Sequence, residues 1–476
     1  MSITTPAGAP ASAAATASAT AAPSTPATAS VARLGILRQP KTVLFGPGQR
    51  HQLPHLVSAI AEHLLVTTDA RMATTPEFLE VVEGIRAAGV EVSIYAEAEP
   101  DLPREDVVAV VERFGHTEID AILGIGGGSC MDLAKVVSIV LANGGDVRDY
   151  YGEFLVPAPG VPVITVPTTG GTGAEVTCIS VVFDKEKGMK IGVASPFLEA
   201  HTAVIDPELT LSCPPGLTAA TGADALSHLV ESFTDRVKTP TPDEIASKLY
   251  IGKNPLTDIY CRNGLALLGQ SLEVLATSPR DLEARSAVML AAYNAGMAIN
   301  TAGTAAAHAI QGAIGNLTHT PHGFGISALL PSVMRFNLPE RVAEFAEIGR
   351  LLGAVTPDGR DATGGRDAAG GSGSAGGAGG AGGPGSTGAA VGLDAPLSQI
   401  EQAHAGITRV EEILAALGAP LDLETLGLSR DDFGFVADQA LLATRLTANN
   451  PRELTREAVL TILEHAYTAD RTWWSE

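Results

Sequence analysis

The chain has 476 residues, more than one ordinary compact domain needs and enough for two sizeable cores. Its formal charge of −22 argues against nucleic acid or an anionic membrane surface as a partner, and it has no long uninterrupted apolar run to span a bilayer. The four cysteines, Cys130, Cys178, Cys213 and Cys261, are scattered without a CxxC pair, which points to a reduced, cytoplasmic setting.

Residues 1–30 are almost entirely Ala, Ser, Thr and Pro, with no charge. They lack the basic start and apolar stretch of a signal peptide and the arginines of a transit peptide, so disorder is expected. From Lys41 the pattern alternates. Strands are expected at 42–45, 63–67, 90–95 and 121–125, with helices at 75–88 and 106–114 between them. Such alternation implies parallel strands covered on both faces, a Rossmann-like α/β domain over 31–212.

Within that domain, the fourth strand runs directly into Gly126-Gly127-Gly128-Ser129 and then a helix carrying Asp132 and Lys135. Glycines there let backbone N–H groups approach a diphosphate while the helix turns its positive end to the same anion. The bland alternatives are a plain tight turn, with Asp132 a first-turn carboxylate favoured by the helix dipole. A second Gly/Thr loop over 166–177 offers Thr168, Thr169 and Thr172 as small donors around a ribose and nicotinamide. Asp69, just after the second strand, sits where a carboxylate accepts from a ribose hydroxyl and repels a 2′-phosphate, favouring NAD over NADP.

Val204-Ile-Asp206-Pro207 closes the α/β half, and Pro214-Pro215 opens an all-α half over 213–476. Helices are expected at 217–234, at 246–275 with an irregular Gly252-Lys-Asn-Pro insertion, at 281–302 and at 305–314. Asp224 and His228, four apart, share one helix face, while His308 and His322 approach from a second helix and the turn after it. Three imidazoles and a carboxylate without a thiolate suit Fe(II) or Zn(II) and leave room for a substrate oxygen. The join near Ser212 is expected to form the substrate cleft. Residues 356–392 are Gly, Ala and Ser with little else, and read as a flexible loop inserted in the helical domain.

Gly222-Ala-Asp224-Ala-Leu-Ser-His228, then His308 with His322-Gly323 fourteen positions later, resemble the two metal-binding segments of the iron-containing (group III, metal-dependent) alcohol dehydrogenases. GGGS followed by DxAK resembles that family's pyrophosphate-binding turn. The loop at 166–177 is similar to its PTTxGTGSE segment, with Gly170 at the variable position and Ala174 in place of the serine. The resemblance runs from about Arg38 to the end. It implies the dehydroquinate synthase-like architecture and a metal on Asp224, His228, His308 and His322. It also implies a nucleotide contact from Lys190, a dimer or larger homo-oligomer, and NAD(P)-dependent interconversion of a primary alcohol or diol with its aldehyde. One position departs: where many relatives carry a further histidine, four residues after His308, this chain has Gly312. His319 lies nearby without corresponding to that histidine, so solvent, a ribose hydroxyl or His319 stay open as the proton path and the general acid stays unassigned. The remaining histidines read as surface or core residues.

Three rivals share the architecture: a maleylacetate reductase-type enzyme that needs no metal set, a dehydroquinate synthase-like lyase, and a non-catalytic nucleotide-binding protein. An anionic substrate would want a basic pocket, for which Lys248, Lys253 and Arg262 are the sequence candidates.

Overall fold

Runs of Val, Ile and Leu form six parallel strands in the computed structural model, which describes residues 34–354 and 397–475. The tail expected over 1–30 and the loop expected over 356–392 lie outside the described residues. In chain order the strands are β1 Thr42–Phe45, β2 His63–Thr67, β3 Glu91–Tyr95, β4 Ala121–Gly126, β5 Gly152–Glu153, β6 Val163–Pro167, β7 Ile179–Asp184, β8 Met189–Ala194 and β9 Thr202–Ile205. The main sheet has the order β1-β9-β6-β4-β2-β3, with every neighbouring pair parallel.

Helices α1 Leu53–Ser58, α2 Pro76–Ala87, α3 Arg104–Phe114 and α4 Gly128–Asn143 cover this sheet. The period of two is visible in the packing. Leu64, Val66, Leu123 and Ile125 pack with α2 through Val81, Val82 and Ile85, while Leu65 and Ile122 join Val107, Val110, Leu133 and Val137 of α3 and α4. Each such fully buried aliphatic side chain contributes roughly 1.5–3 kcal/mol of transfer free energy.

Strand β4 lies between β2 and β6, and its pairing with β6 runs from Ile122 opposite Val163 to Gly126 opposite Pro167. The glycine turn and the Thr/Gly loop therefore leave neighbouring strand ends side by side. This is where open parallel sheets form a ligand crevice.

The helical half follows with α5 Pro215–Thr234, α6 Pro242–Ser247, α7 Pro255–Thr277, α8 Leu282–Ile299, α9 Ala306–Thr318, α10 His322–Asn337, α11 Val342–Leu351, α12 Gln399–Ala416, α13 Phe433–Leu442, α14 Thr444–Thr447 and α15 Arg456–Tyr467. Helix α5 is buried along most of its length, with Leu226, Leu229 and Phe233 in one core with Leu265, Leu268 and Leu272 of α7. The described residues from Leu34 onward form one compact unit.

Two features differ from the sequence expectation. The single helix expected over 246–275 is two helices, because Gly252 takes φ +79° and Asn254 caps α7 ahead of Pro255. The segment between them is extended and fixed by Leu249 N–H to Glu153 Oε1 (2.8 Å) and Ile251 N–H to the Thr301 carbonyl (2.8 Å). The second difference is a small sheet of order β5-β8-β7, in which β7 and β8 pair antiparallel around the turn at Lys185–Gly188. All four cysteines are free and buried. Among the described residues no helix is long and apolar enough to cross a membrane.

Candidate active site

Asp224, His228 and Glu231 sit at i, i+4 and i+7 of α5 and so share its buried face. His308 lies in the first turn of α9, and His322 begins α10 behind Pro321. Helix α10 reaches α5 because Gly323 has no side chain: a Cβ there would fall 1.9 Å from the Ala220 carbonyl oxygen.

The four side chains converge. Asp224 Oδ1 is 3.6 Å from Nε2 of His228, 3.6 Å from Nε2 of His308 and 3.5 Å from Nε2 of His322. The rings of His228 and His308 stack with centroids 4.6 Å apart. Ligand atoms held about 2.1 Å from one tetrahedral ion lie about 3.4 Å from each other, close to these spacings. Asp224 Oδ1 and His308 Nε2 are buried and have no hydrogen-bond partner, a costly arrangement unless a cation takes them up.

Charge points the same way. Burial pushes His228 down to about 4 and lowers His322 as well, against the pull of Asp224, so both imidazoles stay neutral with a lone pair to give. Burial also acts on His308, but the carboxylates of Glu231 and Asp224 raise it to about 9. Asp224 stays well below the usual carboxylate range despite its burial, because the imidazoles surround it. The cluster is built around positive charge next to Asp224, and its donor set fits a borderline divalent ion.

Glu231 was not singled out in the sequence. Its carboxylate accepts from His308 Nδ1 (2.5 Å) and from the backbone N–H of Ala305 (3.1 Å) and Ala307 (2.7 Å), at the start of α9. It thereby fixes the proton on Nδ1 and leaves Nε2 facing Asp224. The available signal was a charged residue on a helix face already carrying Asp224 and His228.

A cavity of about 350 Å³ joins this cluster to the α/β half, lined at one end by Gly128, Ser129, Asp132, Thr172 and Lys190 and at the other by Asp224, His228, His308 and His322. Gly126 adopts φ +151°, and a Cβ on it would lie 2.5 Å from Cys130 Sγ. This turn opens α4, whose N-cap Gly127 makes no side-chain cap, so the first N–H groups remain free to meet an anion. Asp132 lines the cavity while bonding the Val181 N–H (3.0 Å) and pairing with Lys135 (2.9 Å).

Lys135, noted only as part of the turn motif, is fully buried and donates to the carbonyls of Ala174 (2.9 Å), Thr177 (3.2 Å) and Ile179 (2.8 Å), latching the Thr/Gly loop to α4. Thr168 and Thr169 lie behind the lining: Thr168 N–H bonds the Gly126 carbonyl (2.9 Å), and Thr169 Oγ1 stands 3.9 Å from the Cβ position of Gly127. Asp69 follows β2 beside the turn, with Oδ1 accepting from Met72 N–H (2.8 Å) and Oδ2 3.6 Å from the Cβ position of Gly126. Lys190, on β8, pairs with Asp101 (2.6 Å) at the cavity wall.

Other sequence candidates are not brought in. His319 is an exposed cap residue with φ +53° at the end of α9, outside the cavity lining. Gly312 does line it, and a Cβ there would meet nothing within 4 Å, so the position is open space. Of the two readings open for Lys248, Lys253 and Arg262, a basic pocket or ordinary helix charges, the pocket does not form at the cluster. Lys253 is buried on the Phe233 carbonyl (2.6 Å) and Asp258 (2.7 Å), Arg262 pairs with Glu347 (2.7 Å), and Lys248 is exposed near Glu153 (3.7 Å).

Comparison with known proteins places this arrangement. The family described as "Iron-containing alcohol dehydrogenase" matches residues 40–207, and "Fe-containing alcohol dehydrogenase family, C-terminal" matches residues 218–369 and 386–467. The chain belongs to the iron-containing alcohol dehydrogenase family. It is therefore an enzyme, an NAD(P)-dependent alcohol/aldehyde oxidoreductase of that family. It is 36% identical to the NAD-dependent methanol dehydrogenase of Bacillus methanolicus, over 62% of this chain and 73% of that protein. It is 30% identical to the sulfoacetaldehyde reductase of Bilophila wadsworthia, over 85% and 91% of the two chains. Among solved structures, the alcohol dehydrogenase from Oenococcus oeni superposes with a TM-score of 0.76 at 26% identity, covering 91% of this chain and all of that one. The iron-containing dehydrogenase architecture, a Rossmann-like domain followed by an all-α domain, thus holds over most of the chain.

Proposed function

We propose that this iron-containing dehydrogenase interconverts a short aldehyde and its primary alcohol, uses NAD rather than NADP, and holds Fe(II) or Zn(II) on Asp224, His228, His308 and His322. The observation that carries the reading is the Asp224 carboxylate 3.5–3.6 Å from three imidazole Nε2 atoms, in the same cavity as the open N-terminus of α4. When bound, the ion polarises the substrate oxygen as a Lewis acid and the dinucleotide supplies or accepts the hydride.

The protein's own residues do the positioning. Gly126, Gly127, Gly128 and Ser129 leave backbone N–H groups for the diphosphate, Asp132 and Thr172 line the same end of the cavity, and Lys190 adds positive charge there. Asp69 beside the turn supports NAD, since its carboxylate would repel a 2′-phosphate. The free, buried cysteines support the cytoplasmic setting. The general acid stays open: with Gly312 opposite open space and His319 outside the lining, solvent or a ribose hydroxyl takes that role.

The test is NADH oxidation by metal-stripped protein reloaded separately with Fe(II) and Zn(II), across short aldehydes. Turnover is expected to require metal and to vanish in His308→Ala. Turnover indifferent to both would sink the metal site and favour a metal-free reductase.

A further inference from the structure

Of the arginines among the described residues, Arg445 is the one that is partly buried yet makes no hydrogen bond and no ion pair. Its described contact is a stack over the Tyr250 ring, 4.9 Å from the centroid. The guanidinium lies on the cavity wall over Gly192 of β8: Nη1 and Nη2 are each 3.0 Å from the point a Cβ would occupy. A glycine at that point keeps the space for the fork of donors.

A second cavity, of about 550 Å³, is lined by the same Tyr250 and Arg445, which therefore border both spaces. Its other charged residues are Arg236, Lys238 and Lys248 against Glu153 and Glu244, a net positive wall on a chain of charge −22. An unpaired cation facing a partly desolvated cavity is unfavourable unless an anion completes it, and the planar guanidinium matches a two-oxygen group.

We propose that Arg445 binds the anionic tail of the substrate, so that this enzyme's preferred aldehydes carry a carboxylate or sulfonate group. This rests on the dehydrogenase reading above. The carbonyl end addresses the Asp224 cluster and the oxyanion tail addresses Arg445, within one cavity whose lining also includes Ile179, Ile299 and Leu446. The geometry fixes two charged points and little else, so tail chemistry sets specificity.

The experiment uses the full-length, metal-loaded enzyme with NADH and two matched pairs: 4-oxobutanoate against pentanal, and sulfoacetaldehyde against butanal. In the unaltered enzyme, kcat/KM is expected to favour the anionic member of at least one pair, and the pair with the larger ratio identifies the tail as carboxylate or sulfonate. Arg445→Gln is expected to lower that anionic-to-neutral ratio by roughly 10- to 100-fold, the usual range for one charge-assisted contact, with the loss mainly in KM. Gly192→Ala, which crowds the guanidinium without removing it, is expected to lower the same ratio.

Three results would overturn the proposal: a preference for the neutral member of both pairs, an equal loss for both members on Arg445→Gln, or a raised KM for NADH as the main effect. In each of these, metal-dependent turnover of neutral aldehydes leaves the dehydrogenase reading intact. Absence of metal-dependent turnover with all four compounds would sink both.

Discussion

Glu231 accepts three N–H groups at once, two from the backbone at the start of α9 and one from His308. In an uncapped helix whose N-cap is Ala305, those backbone donors would otherwise be buried without partners. The same carboxylate holds the His308 ring so that Nε2 points at Asp224, and such supporting contacts typically govern metal affinity by 10- to 100-fold. Glu231→Gln replaces one acceptor oxygen with a donor and sets it against an N–H. The variant is expected to bind Zn(II) about 10- to 100-fold more weakly in competition with a chromogenic chelator, a readout independent of turnover. Unchanged affinity would show that His308 needs no orienting partner. The four candidate ligands were legible in the sequence because Asp224 and His228 share one helix face at i, i+4 and the segments holding His308 and His322 resemble a family's metal-binding pattern. Glu231, seven residues after Asp224 on the same helix face, belongs to no such pair. Arg445 gave no signal at all, since a single arginine in the short helix α14 acquires its meaning only from Gly192 and Tyr250, far away in sequence.

At the level of elements, α4 and the Thr/Gly loop form one unit through Lys135. Its buried ammonium is enclosed by three carbonyls and Asp132. Lys135→Met keeps the length of the stem and deletes the charge, leaving the half-buried Asp132 without its ion pair. Breaking a buried pair on one side costs about 3–5 kcal/mol. The variant is expected to lose that much stability in denaturant unfolding and to show a raised KM for NADH; a stable variant with normal NADH binding would mean that the loop holds itself. Strands β1 to β4 were legible as short apolar runs, with Gly46 directly after β1 and Gly127 directly after β4, whereas β6 and β9 were not set out as strands. The β7–β8 hairpin was not legible, since its strands alternate only partly, with Val181 and Met189 exposed. The break between α6 and α7 was announced by Asn254-Pro255, a helix-start signal read as an irregularity inside one longer helix. That break matters, because the extended segment it creates carries Tyr250 to the cavity.

Over the whole molecule, the candidate metal ligands come from α5, α9 and α10 alone, whereas the candidate dinucleotide end of the cavity comes from α4, the loop after β6 and β8. The two halves are tied by side chains rather than by the site: Asn300, following α8, bonds the Cys178 N–H (2.8 Å) and the Arg38 carbonyl (2.8 Å). Metal and dinucleotide should therefore stabilise the protein as separable increments. A ligand at about a thousand times its dissociation constant adds about 4 kcal/mol to the folded state. Stripping the metal with a chelator is expected to lower the thermal unfolding midpoint whether or not NADH is present, and adding NADH to the stripped protein is expected to raise it. The His308→Ala variant should behave as the stripped protein does and should ignore the chelator. If chelation left the unfolding midpoint of the unaltered protein unmoved, the unpartnered oxygen of Asp224 and nitrogen of His308 would need another occupant. The convergence of three helices on that carboxylate would then be a feature of packing alone.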